Sequence, residues 1–342
     1  MPISHIYWFA YYNTDEPSVR YRGKYPLEKL KEQHNISYDL VVPGYKPKAI
    51  YVFIKTYFSI LFNRKPQSVI VFEKIHTQRV YVTALKILLK FHPRGTIYDI
   101  DDADYLKFPS KNILHFIKNS SQCAVGSMAL AEFAAKLNNN VFLLTSPVIN
   151  HQHIKREKNE VLTIGWVGYY NAHRQSLLQL FFPSLIHIPF PVRLILMGVT
   201  KPEHFKEIKC FFARVENVTL EIPESVNWHD EEVVYKKIAT FDIGVAPLID
   251  TQINRAKSAF KVKQYLSCGV PVLGSALGEN AVFLQHGING YLCDNSDSYT
   301  FFIQKIAAMP HREYSGLSYN AVQSIPTFSM DHYCQTLLQH LT

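Results

Sequence analysis

The stretch AKSAFKVKQYLSCGVPVLGS, residues 256–275, combines a short amphipathic helix with a buried strand. On a helix, Lys257, Lys261 and Gln264 are spaced i, i+4 and i+7, so they share one face. Gly269 ends the helix, and the apolar run after it is typical of a strand inside a parallel sheet. This predicts two lysines and an amide near a helix start, where phosphate binds favourably. A solvated charged face is the alternative.

Segments on both sides of this stretch alternate between strand and helix patterns. Upstream, FDIGVAPL predicts a strand over residues 243–246, followed by a polar loop that carries Arg255. Downstream, Gly274 and Gly278 lie in a loop before a short helix and an Asn-Gly turn. This order predicts an α/β fold with doubly wound parallel sheets, in which ligands bind at the carboxyl ends of strands.

The composition indicates a globular protein of two domains. The chain has 342 residues, of which 47% are hydrophobic and 19% charged, so it can bury substantial cores. Its five cysteines are scattered without metal-ligand spacing, which is typical of reduced thiols. No apolar run is long enough to cross a bilayer, and MPISHIYWFAYY predicts a strand over residues 6–10 rather than a signal peptide. We therefore expect a cytoplasmic protein.

The net charge of +8 and the pI near 9.0 predict acidic partners. No basic run is dense enough for a nucleic-acid arm, so we expect no nucleic acid partner. Residues 45–67, YKPKAIYVFIKTYFSILFNRKPQ, mix aromatic and aliphatic residues with lysines and an arginine. That composition suits an interfacial helix on anionic lipid, which would make the protein peripheral on the cytoplasmic face of a membrane. A core helix with basic ends is the alternative.

Strand and helix patterns divide the chain into two Rossmann-like domains. In the first, residues 1–150, apolar strands alternate with helices, for example a strand over 68–72 and a helix over 80–91. HQHIKREKNE predicts a linker at the start of the second domain, residues 151–325. A C-terminal helix within residues 326–342 could cross back to the first domain.

Residues 242–292 resemble the donor-binding half of a retaining GT-B glycosyltransferase of the group 1 type, family four. The DIGVAPL strand, the FKVKQYLSCGVPV helix and strand, and the HGINGYL turn carry the resemblance through their order and spacing. Many members have an E-x7-E pair across this helix, with the second glutamate on the donor ribose. Here the aligned residues are Ala256 and Gln264, as in a subgroup that reads K-x-x-F-K-x-x-Q-Y. Gln264 could still hydrogen-bond a hydroxyl, without a charge. The resemblance implies two Rossmann-like domains that face a cleft.

The resemblance also implies that a nucleotide-diphosphate sugar binds the second domain. In IGWVGYYNAHR, a glycine lets the backbone approach a phosphate, and an arginine in the first helical turn could clamp a diphosphate oxygen. Family members often have an arginine directly after the glycine, where this chain has a tyrosine. An ordinary strand-to-helix turn is the alternative. The predicted donor-binding residues are Gly168, Tyr169, Tyr170, Arg174, Arg255, Lys257, Lys261 and Gln264.

In the predicted first domain, YDIDDADY places Asp99, Asp101 and Asp102 at the end of a strand. Crowded carboxylates need a cation, a hydrogen-bond donor or sugar hydroxyls as partners. Group 1 relatives often have T-x-H here, with the histidine on the donor sugar, and Asp101 occupies the aligned position. We expect Asp101 to orient a sugar hydroxyl or to act as a base toward an acceptor, with Asp102 beside it. A metal site of the DxD kind and a loop of solvated acids are the alternatives; we expect neither metal nor other cofactor.

Two further clusters follow predicted strands of the first domain. FEKIHTQR places Glu73 and His76 after a buried strand, where His76 could hydrogen-bond a sugar or an acceptor, although a lone histidine is more often structural. NTDEPSVRYRGKYPLEKL carries Arg20, Tyr21 and Arg22 in a loop ahead of a helix. Such a loop meets the cleft in GT-B enzymes, and RYR recurs in the similar subgroup, which implies contact with phosphate or acceptor. A basic surface loop is the alternative.

These predictions indicate a glycosyltransferase that moves a sugar from a nucleotide-diphosphate donor to a glycan or lipid-linked glycan acceptor in surface polysaccharide biosynthesis. Lys261 would stabilise the leaving diphosphate, while Asp101 and His76 would serve the acceptor. Retention of anomeric configuration is implied by the resemblance. One alternative is a non-hydrolysing nucleotide-sugar epimerase, which needs several acid/base side chains that the second domain lacks. The other is a non-catalytic saccharide-binding or scaffold protein, which the loss of both glutamates favours.

Overall fold

The computed structural model describes residues 3–155 and 157–341 and divides into two compact units. The first unit comprises Met1–Ile149, Ala256–Ser258 and the residues from Phe328 onward, and the second comprises Asn150–Arg255 and Ala259–Thr327. Each unit is built on a parallel six-stranded sheet with helices around it. The predicted α/β class with two Rossmann-like units is therefore confirmed.

A parallel sheet forms the centre of the first unit. Its strands are β1 (His5–Ala10), β2 (Ser37–Val41), β3 (Ser68–Glu73), β4 (Thr96–Ile100), β5 (Gln122–Val125) and β6 (Val141–Leu143). Its helices are α1 (Tyr25–His34), α2 (Pro47–Asn63), α3 (Arg79–Phe91), α4 (Asp104–Lys107), α5 (Lys111–Asn119) and α6 (Met128–Ala134). The strands lie in the order β2-β1-β3-β4-β5-β6.

Burial of the central strands explains their sequence. Every residue of β1 and of β3 is buried, because α2, α3 and α5 pack on one face of the sheet and α1 packs on the other. Both strands are accordingly almost continuous apolar runs, as is usual in parallel sheets. Since parallel strands end at the same edge, the residues after β1, β3 and β4 lie close together, including Tyr12, Lys74 and Asp101.

The segment that carries the RYR motif is helical rather than a loop. Val19–Lys24 forms a π-helix that runs directly into α1. Arg20, Tyr21 and Arg22 are all buried, and Arg22 is 0% exposed. The prediction of a loop is therefore wrong, and the alternative of a basic surface loop is wrong as well, because these side chains are buried inside the unit.

The second unit repeats the same plan. Its strands are β7 (Leu162–Val167), β8 (Val192–Met197), β9 (Val218–Glu221), β10 (Ile243–Ala246), β11 (Val272–Ser275) and β12 (Gly290–Cys293). Its helices are α7 (Tyr170–Ser176), α8 (Pro202–Phe212), α9 (Glu231–Ile238), α10 (Gln252–Arg255), α11 (Phe260–Ser267), α12 (Asn280–Phe283), α13 (Ser296–Ala308) and α14 (His311–Gln323). The strands lie in the order β12-β11-β10-β7-β8-β9.

Helix α11 packs on β10 at Gly244, where Tyr265 occupies the space that a side chain would need. A Cβ atom on Gly244 would come within 2.4 Å of the ring of Tyr265. The hydroxyl of Tyr265 in turn accepts a hydrogen bond of 2.9 Å from the backbone N–H of Val167, at the end of β7. This contact holds the FKVKQYL helix beside the IGWVG strand.

The predicted linker is held firmly against the second unit. Lys155 is buried and its Nζ lies 3.1 Å from Oδ1 of Asp242. Its backbone N–H donates to the carbonyl of Cys268 over 2.7 Å, and its own carbonyl accepts from Ser318 Oγ over 2.6 Å. The chain therefore enters the second unit along a defined path.

The last helix, α15 (Met330–His340), packs in the first unit. Ser329 caps it by accepting a hydrogen bond from the N–H of His332. Met330, Tyr333 and Leu337 enter the core on the α1 face of the first sheet. Within the described ranges, no helix is both long and apolar enough to span a membrane.

Candidate active site

The loop after β7 brings a glycine and a lysine together in the second unit. Gly168 has a φ of +149°, and a Cβ atom at this position would lie 2.5 Å from Cε and 3.1 Å from Nζ of Lys261. Gly198 has a φ of +102°, and a Cβ there would lie 1.8 Å from the carbonyl oxygen of Gly168. A side chain at Gly198 would clash with the backbone of the neighbouring loop, whereas a side chain at Gly168 would displace the end of Lys261.

Lys261 is held in place by an imidazole and an indole. Its Nζ lies 2.8 Å from Nε2 of His173, and 5.8 Å from the ring centre of Trp166. Because an ammonium group can only donate, Nε2 accepts and the ring proton sits on Nδ1. Lys261 therefore presents a positive charge at a glycine loop before a helix start, where phosphate groups bind well.

Lys257 does not share a helical face with Lys261, contrary to the sequence prediction. Ala259 has a φ of +52° and interrupts the helix, so that α11 begins only at Phe260. Lys257 belongs to the short segment Ala256–Ser258 that packs in the first unit. Burial lowers the pKa of Lys257, and the nearby carboxylate of Asp102 opposes this shift.

Two further polar residues of α11, Lys263 and Gln264, are buried. Gln264 is 6% exposed, and Lys263, which the sequence pattern did not single out, is 0% exposed. The Nζ of Lys263 lies 5.0 Å from the ring centre of Phe283. Lys261 and Gln264, both predicted to bind the donor, lie one turn apart on α11.

The two predicted donor-binding arginines each pair with a carboxylate of the same unit. Arg174 is bidentate to Glu207, with 2.9 Å between Nε and Oε2, and this pairing lowers the pKa of Glu207. Arg255 is bidentate to Asp250, with 2.6 Å for each hydrogen bond. Each guanidinium has five N–H donors, so the pair with the carboxylate leaves N–H groups that could donate to a diphosphate.

The tyrosines after Gly168 face opposite environments. Tyr169 is 53% exposed, whereas Tyr170 is fully buried. The hydroxyl of Tyr170 donates to Oε2 of Glu207 over 3.0 Å. Tyr170 therefore stabilises the carboxylate of Glu207 that also binds Arg174. The ring of Tyr169, by contrast, is accessible.

In the first unit, a buried lysine lies among the predicted acids. Lys74 has a φ of +53°, and its Nζ lies 2.9 Å from Asp101, 2.9 Å from Asp102 and 3.5 Å from Asp104. Burial alone would lower the pKa of Lys74, but the three carboxylates outweigh it and raise that pKa well above its usual value. The partner that the crowded acids require is thus an ammonium group. Among the described residues, no three His, Cys, Asp or Glu side chains are grouped to hold a metal ion.

His76 lies against this acidic cluster in an aromatic cage. Its ring stacks on Phe108 at 4.3 Å and contacts Tyr11 at 3.7 Å, and Nε2 lies 3.1 Å from the hydroxyl of Tyr12. Burial, assisted by the charge of Lys74, lowers the pKa of His76 to about 4. At neutral pH the imidazole is therefore uncharged and can accept or donate a hydrogen bond.

The predicted phosphate or acceptor residue Arg22 forms a buried ion pair. Its Nε donates to Oδ2 of Asp99 over 2.9 Å, and Nη2 donates to Oδ1. Nη1 donates to the carbonyl of Leu144 over 2.6 Å. Burial alone would lower the pKa of Arg22, but the charge of Asp99 outweighs it and raises that pKa well above its usual value. Arg22 thereby ties the π-helix to the ends of β4 and β6.

Arg20, Tyr21 and Glu73 are also enclosed within the first unit. Arg20 donates through Nη1 to the carbonyls of Thr14, at 3.2 Å, and Asp15, at 2.6 Å. Glu73 is 1% exposed and accepts a 2.7 Å hydrogen bond from Nε1 of Trp8. Burial and the charge of Asp99 raise the pKa of Glu73 to about 8, so this carboxyl is mostly protonated at neutral pH.

Comparison with known proteins supports the sequence resemblance. Residues 158–310 match the family model for glycosyl transferases of group 1. This range contains the Gly168, His173 and Lys261 cluster. No curated protein matches the chain.

Solved structures share the fold over nearly the whole chain. Anabaena HepE, solved with UDP and glucose, has a TM-score of 0.66 at 15% identity and covers 99% of each chain. Sucrose-phosphate synthase from Thermosynechococcus elongatus has a TM-score of 0.69 at 10% identity, over 98% of each chain. A glycosyltransferase from Rickettsia africae has a TM-score of 0.66 at 11% identity, over 100% of this chain and 98% of that one. Identities this low establish the fold alone. The chain therefore has the GT-B fold, and its residues 158–310 are similar to glycosyl transferases of group 1.

Proposed function

We propose that the chain transfers a glycosyl group from a nucleotide-diphosphate sugar to a glycan or lipid-linked glycan acceptor, with retention of configuration, in the synthesis of a surface polysaccharide. The observation that carries the proposal is the contact of Lys261 with both Gly168 and His173. It puts a positioned cation at a tight backbone loop within the glycosyl transferase domain. Retention follows the family resemblance.

We assign the donor diphosphate to this loop and to Lys261. The ammonium group would stabilise the charge that develops on the β-phosphate as the sugar leaves, an electrostatic effect that is strongest where water is excluded. Gln264 would hydrogen-bond a ribose or sugar hydroxyl. HepE has been solved with UDP-glucose, which favours a uridine diphosphate sugar as the first donor to test.

We assign the acceptor to the first unit, at the edge that holds Asp101 and His76. Asp101 would orient a sugar hydroxyl or accept its proton, and the neutral imidazole of His76 would hydrogen-bond a second hydroxyl. We propose that no resident metal takes part, because the ammonium group of Lys74 already compensates the carboxylates at this edge. A lipid-linked acceptor would place the protein at the cytoplasmic face of a membrane.

A thermal-shift panel of nucleotide diphosphates and their sugars tests the donor assignment. A ligand at about 100 times its Kd adds about 2.7 kcal/mol to the free energy of unfolding. We expect one nucleotide to raise the melting temperature of the wild type. Lys261→Ala should abolish that rise and reduce sugar transfer at least tenfold, because it removes a charge that acts on the leaving group.

Lys209→Ala provides the matched control, because Lys209 is an exposed lysine of the same unit. It should behave as the wild type. Unchanged turnover in Lys261→Ala would contradict the donor assignment. Nucleotide binding without transfer to any glycan would favour a saccharide-binding protein instead, and isomerised sugar in the absence of acceptor would favour an epimerase.

A further inference from the structure

Helices α2 and α3 of the first unit expose an apolar surface that no part of the described chain covers. Of the 22 large hydrophobic side chains exposed among the described residues, nine lie between residues 45 and 91. On α2 the most exposed are Tyr51 at 64% and Phe62 at 78%, and on α3 the most exposed is Val80 at 86%. The nine, which we call the α2–α3 patch, are Tyr45, Ile50, Tyr51, Ile54, Phe58, Phe62, Val80, Ile87 and Phe91.

The patch is one surface, because the two helices lie side by side. They pack against the same core, and the ring of Phe53 on α2 lies 5.3 Å from that of Tyr81 on α3. Tyr51, Ile54 and Phe58 are spaced i, i+3 and i+7 on the side of α2 opposite that core. Several neighbouring aromatic and aliphatic side chains are therefore exposed together, which is unusual for a surface that meets only water.

The segment that carries the patch is rich in positive charge. Between residues 40 and 98 the chain has ten lysines and arginines, of which Lys74 is buried among aspartates, and its one acid is Glu73. Glu73 is buried, and its pKa is raised to about 8. The surface of this segment consequently carries positive charge that no carboxylate of the segment offsets.

The start of α2 adds to this positive charge. Lys46 is the N-cap residue, Lys48 lies in the first turn, and that turn contains no acid. Lysines are unfavourable at this end of a helix, where the dipole prefers anions. An anionic partner would relieve this repulsion, whereas a second copy of the chain would bring like charges together.

From this geometry we infer that the α2–α3 patch docks on an anionic lipid bilayer. Aromatic and aliphatic side chains would enter the headgroup boundary, and the surrounding lysines would contact lipid phosphates. The inference rests on the proposed function in one respect: the bilayer is where a lipid-linked acceptor would be met. Docking itself requires neither donor nor acceptor.

Sedimentation of the full-length protein with vesicles tests docking. We expect binding to phosphatidylcholine vesicles that contain phosphatidylglycerol to be at least tenfold tighter than to phosphatidylcholine alone, and to weaken as salt rises. The combined variant Tyr51→Ser, Ile54→Ser and Phe58→Ser should lose at least tenfold in binding. Its matched control, Val282→Ser, Phe301→Ser and Tyr319→Ser, changes side chains of the second unit that are at least half exposed, and it should bind as the wild type.

A fluorescence measurement locates the contact independently of that variant. Phe62→Trp places an indole at a highly exposed position of the patch, and its emission should shift to the blue only with anionic vesicles. Lys48→Gln combined with Lys55→Gln should weaken binding severalfold and reduce its salt dependence. Lys206→Gln with Lys209→Gln is the control for charge loss elsewhere.

The inference would be overturned if the protein bound no vesicles at low salt, or if the patch and control variants lost binding equally. It would also be overturned if the wild type self-associated without binding vesicles and the patch variant stayed monomeric. The nucleotide thermal shift is measured on the same proteins without vesicles. A patch variant that keeps the nucleotide shift but loses vesicle binding supports docking, and loss of docking alone leaves the donor assignment intact.

Discussion

Single ionisable residues in this protein take their charge state from buried neighbours. Lys74 keeps its ammonium group among three aspartates, because their charges raise its pKa. Glu73 shows the opposite case, because it lies fully buried near the carboxylate of Asp99 and is held protonated. The local sequence does not reveal these states, since each depends on residues from other strands.

The pKa of Glu73 predicts a pH dependence of stability. It is raised from 4.5 to about 8 in the folded protein, so the unfolded chain loses this proton first as pH rises. Between these two values the contribution of Glu73 to stability falls, by up to about 1.4 kcal/mol per pH unit. Glu73→Gln cannot ionise, so its free energy of unfolding should rise relative to wild type from pH 5 to pH 8.

Urea unfolding at several pH values measures this difference. Glu203→Gln, which changes an exposed glutamate of α8, should show no comparable trend. A stability difference between Glu73→Gln and wild type that stays constant with pH would show that Glu73 is ionised in the folded protein.

At the scale of elements, two departures from ideal geometry shape the lysine site. The left-handed Ala259 sets the start of α11, and Gly168 and Gly198 let two loops touch. A left-handed alanine costs about 1 kcal/mol or more, so packing around α11 must supply that energy. Helical spacing alone had predicted a longer helix with Lys257 on it, because periodicity does not register a single left-handed residue.

Gly168→Ala tests whether this loop geometry serves the site. The new Cβ would lie 2.5 Å from Cε of Lys261, and the flexible end of the lysine is the part that can move. We expect the protein to fold, with nucleotide affinity reduced at least fivefold because the ammonium group is displaced from the loop. The nucleotide thermal shift measures this loss.

Gly316→Ala is the matched control, since a Cβ at Gly316 meets nothing within 4 Å. Gly316 lies in α14, so alanine there should stabilise the helix by up to about 1 kcal/mol without affecting nucleotide binding. Normal nucleotide affinity in Gly168→Ala would show that Lys261 needs no contact with this backbone.

For the whole molecule, the last helix belongs to the unit that the chain began with. Tyr333 of α15 is 1% exposed, and its hydroxyl donates to the carbonyl of Arg22 over 2.8 Å. The first unit is therefore completed only when the end of the chain is in place.

Tyr333→Ala should consequently destabilise the first unit alone. Loss of a buried aromatic side chain costs about 3–5 kcal/mol, whereas Tyr333→Phe, which loses only the hydrogen bond, should cost about 1 kcal/mol. Hydrogen exchange should show reduced protection in β1 and unchanged protection in β7. Tyr319→Ala, at a position 64% exposed, should change neither strand, and an equal loss in both units would contradict the prediction.

Much of the fold could be predicted from the sequence. The apolar runs of β3 and β10 identify them as buried strands, and the helical periodicity of α3 identifies it as an amphipathic helix. The alternation of such strands and helices along the chain indicates parallel sheets. The pairing of Gly168 with Lys261 was also predicted as one site. The partners of the predicted cations could not be predicted. Arg174 pairs with Glu207 and Arg255 with Asp250, and no spacing rule indicates either ion pair.

The sequence alone therefore determined the helices and strands, the class of fold, and which polar and charged residues lie at the strand ends. It could do so because apolar runs and helical periodicity can be recognised from neighbouring residues along the chain. Only the tertiary structure decided which charges are compensated. Lys74 lies among aspartates that follow a different strand, and Arg22 pairs with Asp99. Electrostatic energy depends on distance in space and on burial, and both are set when the sheets and helices pack together.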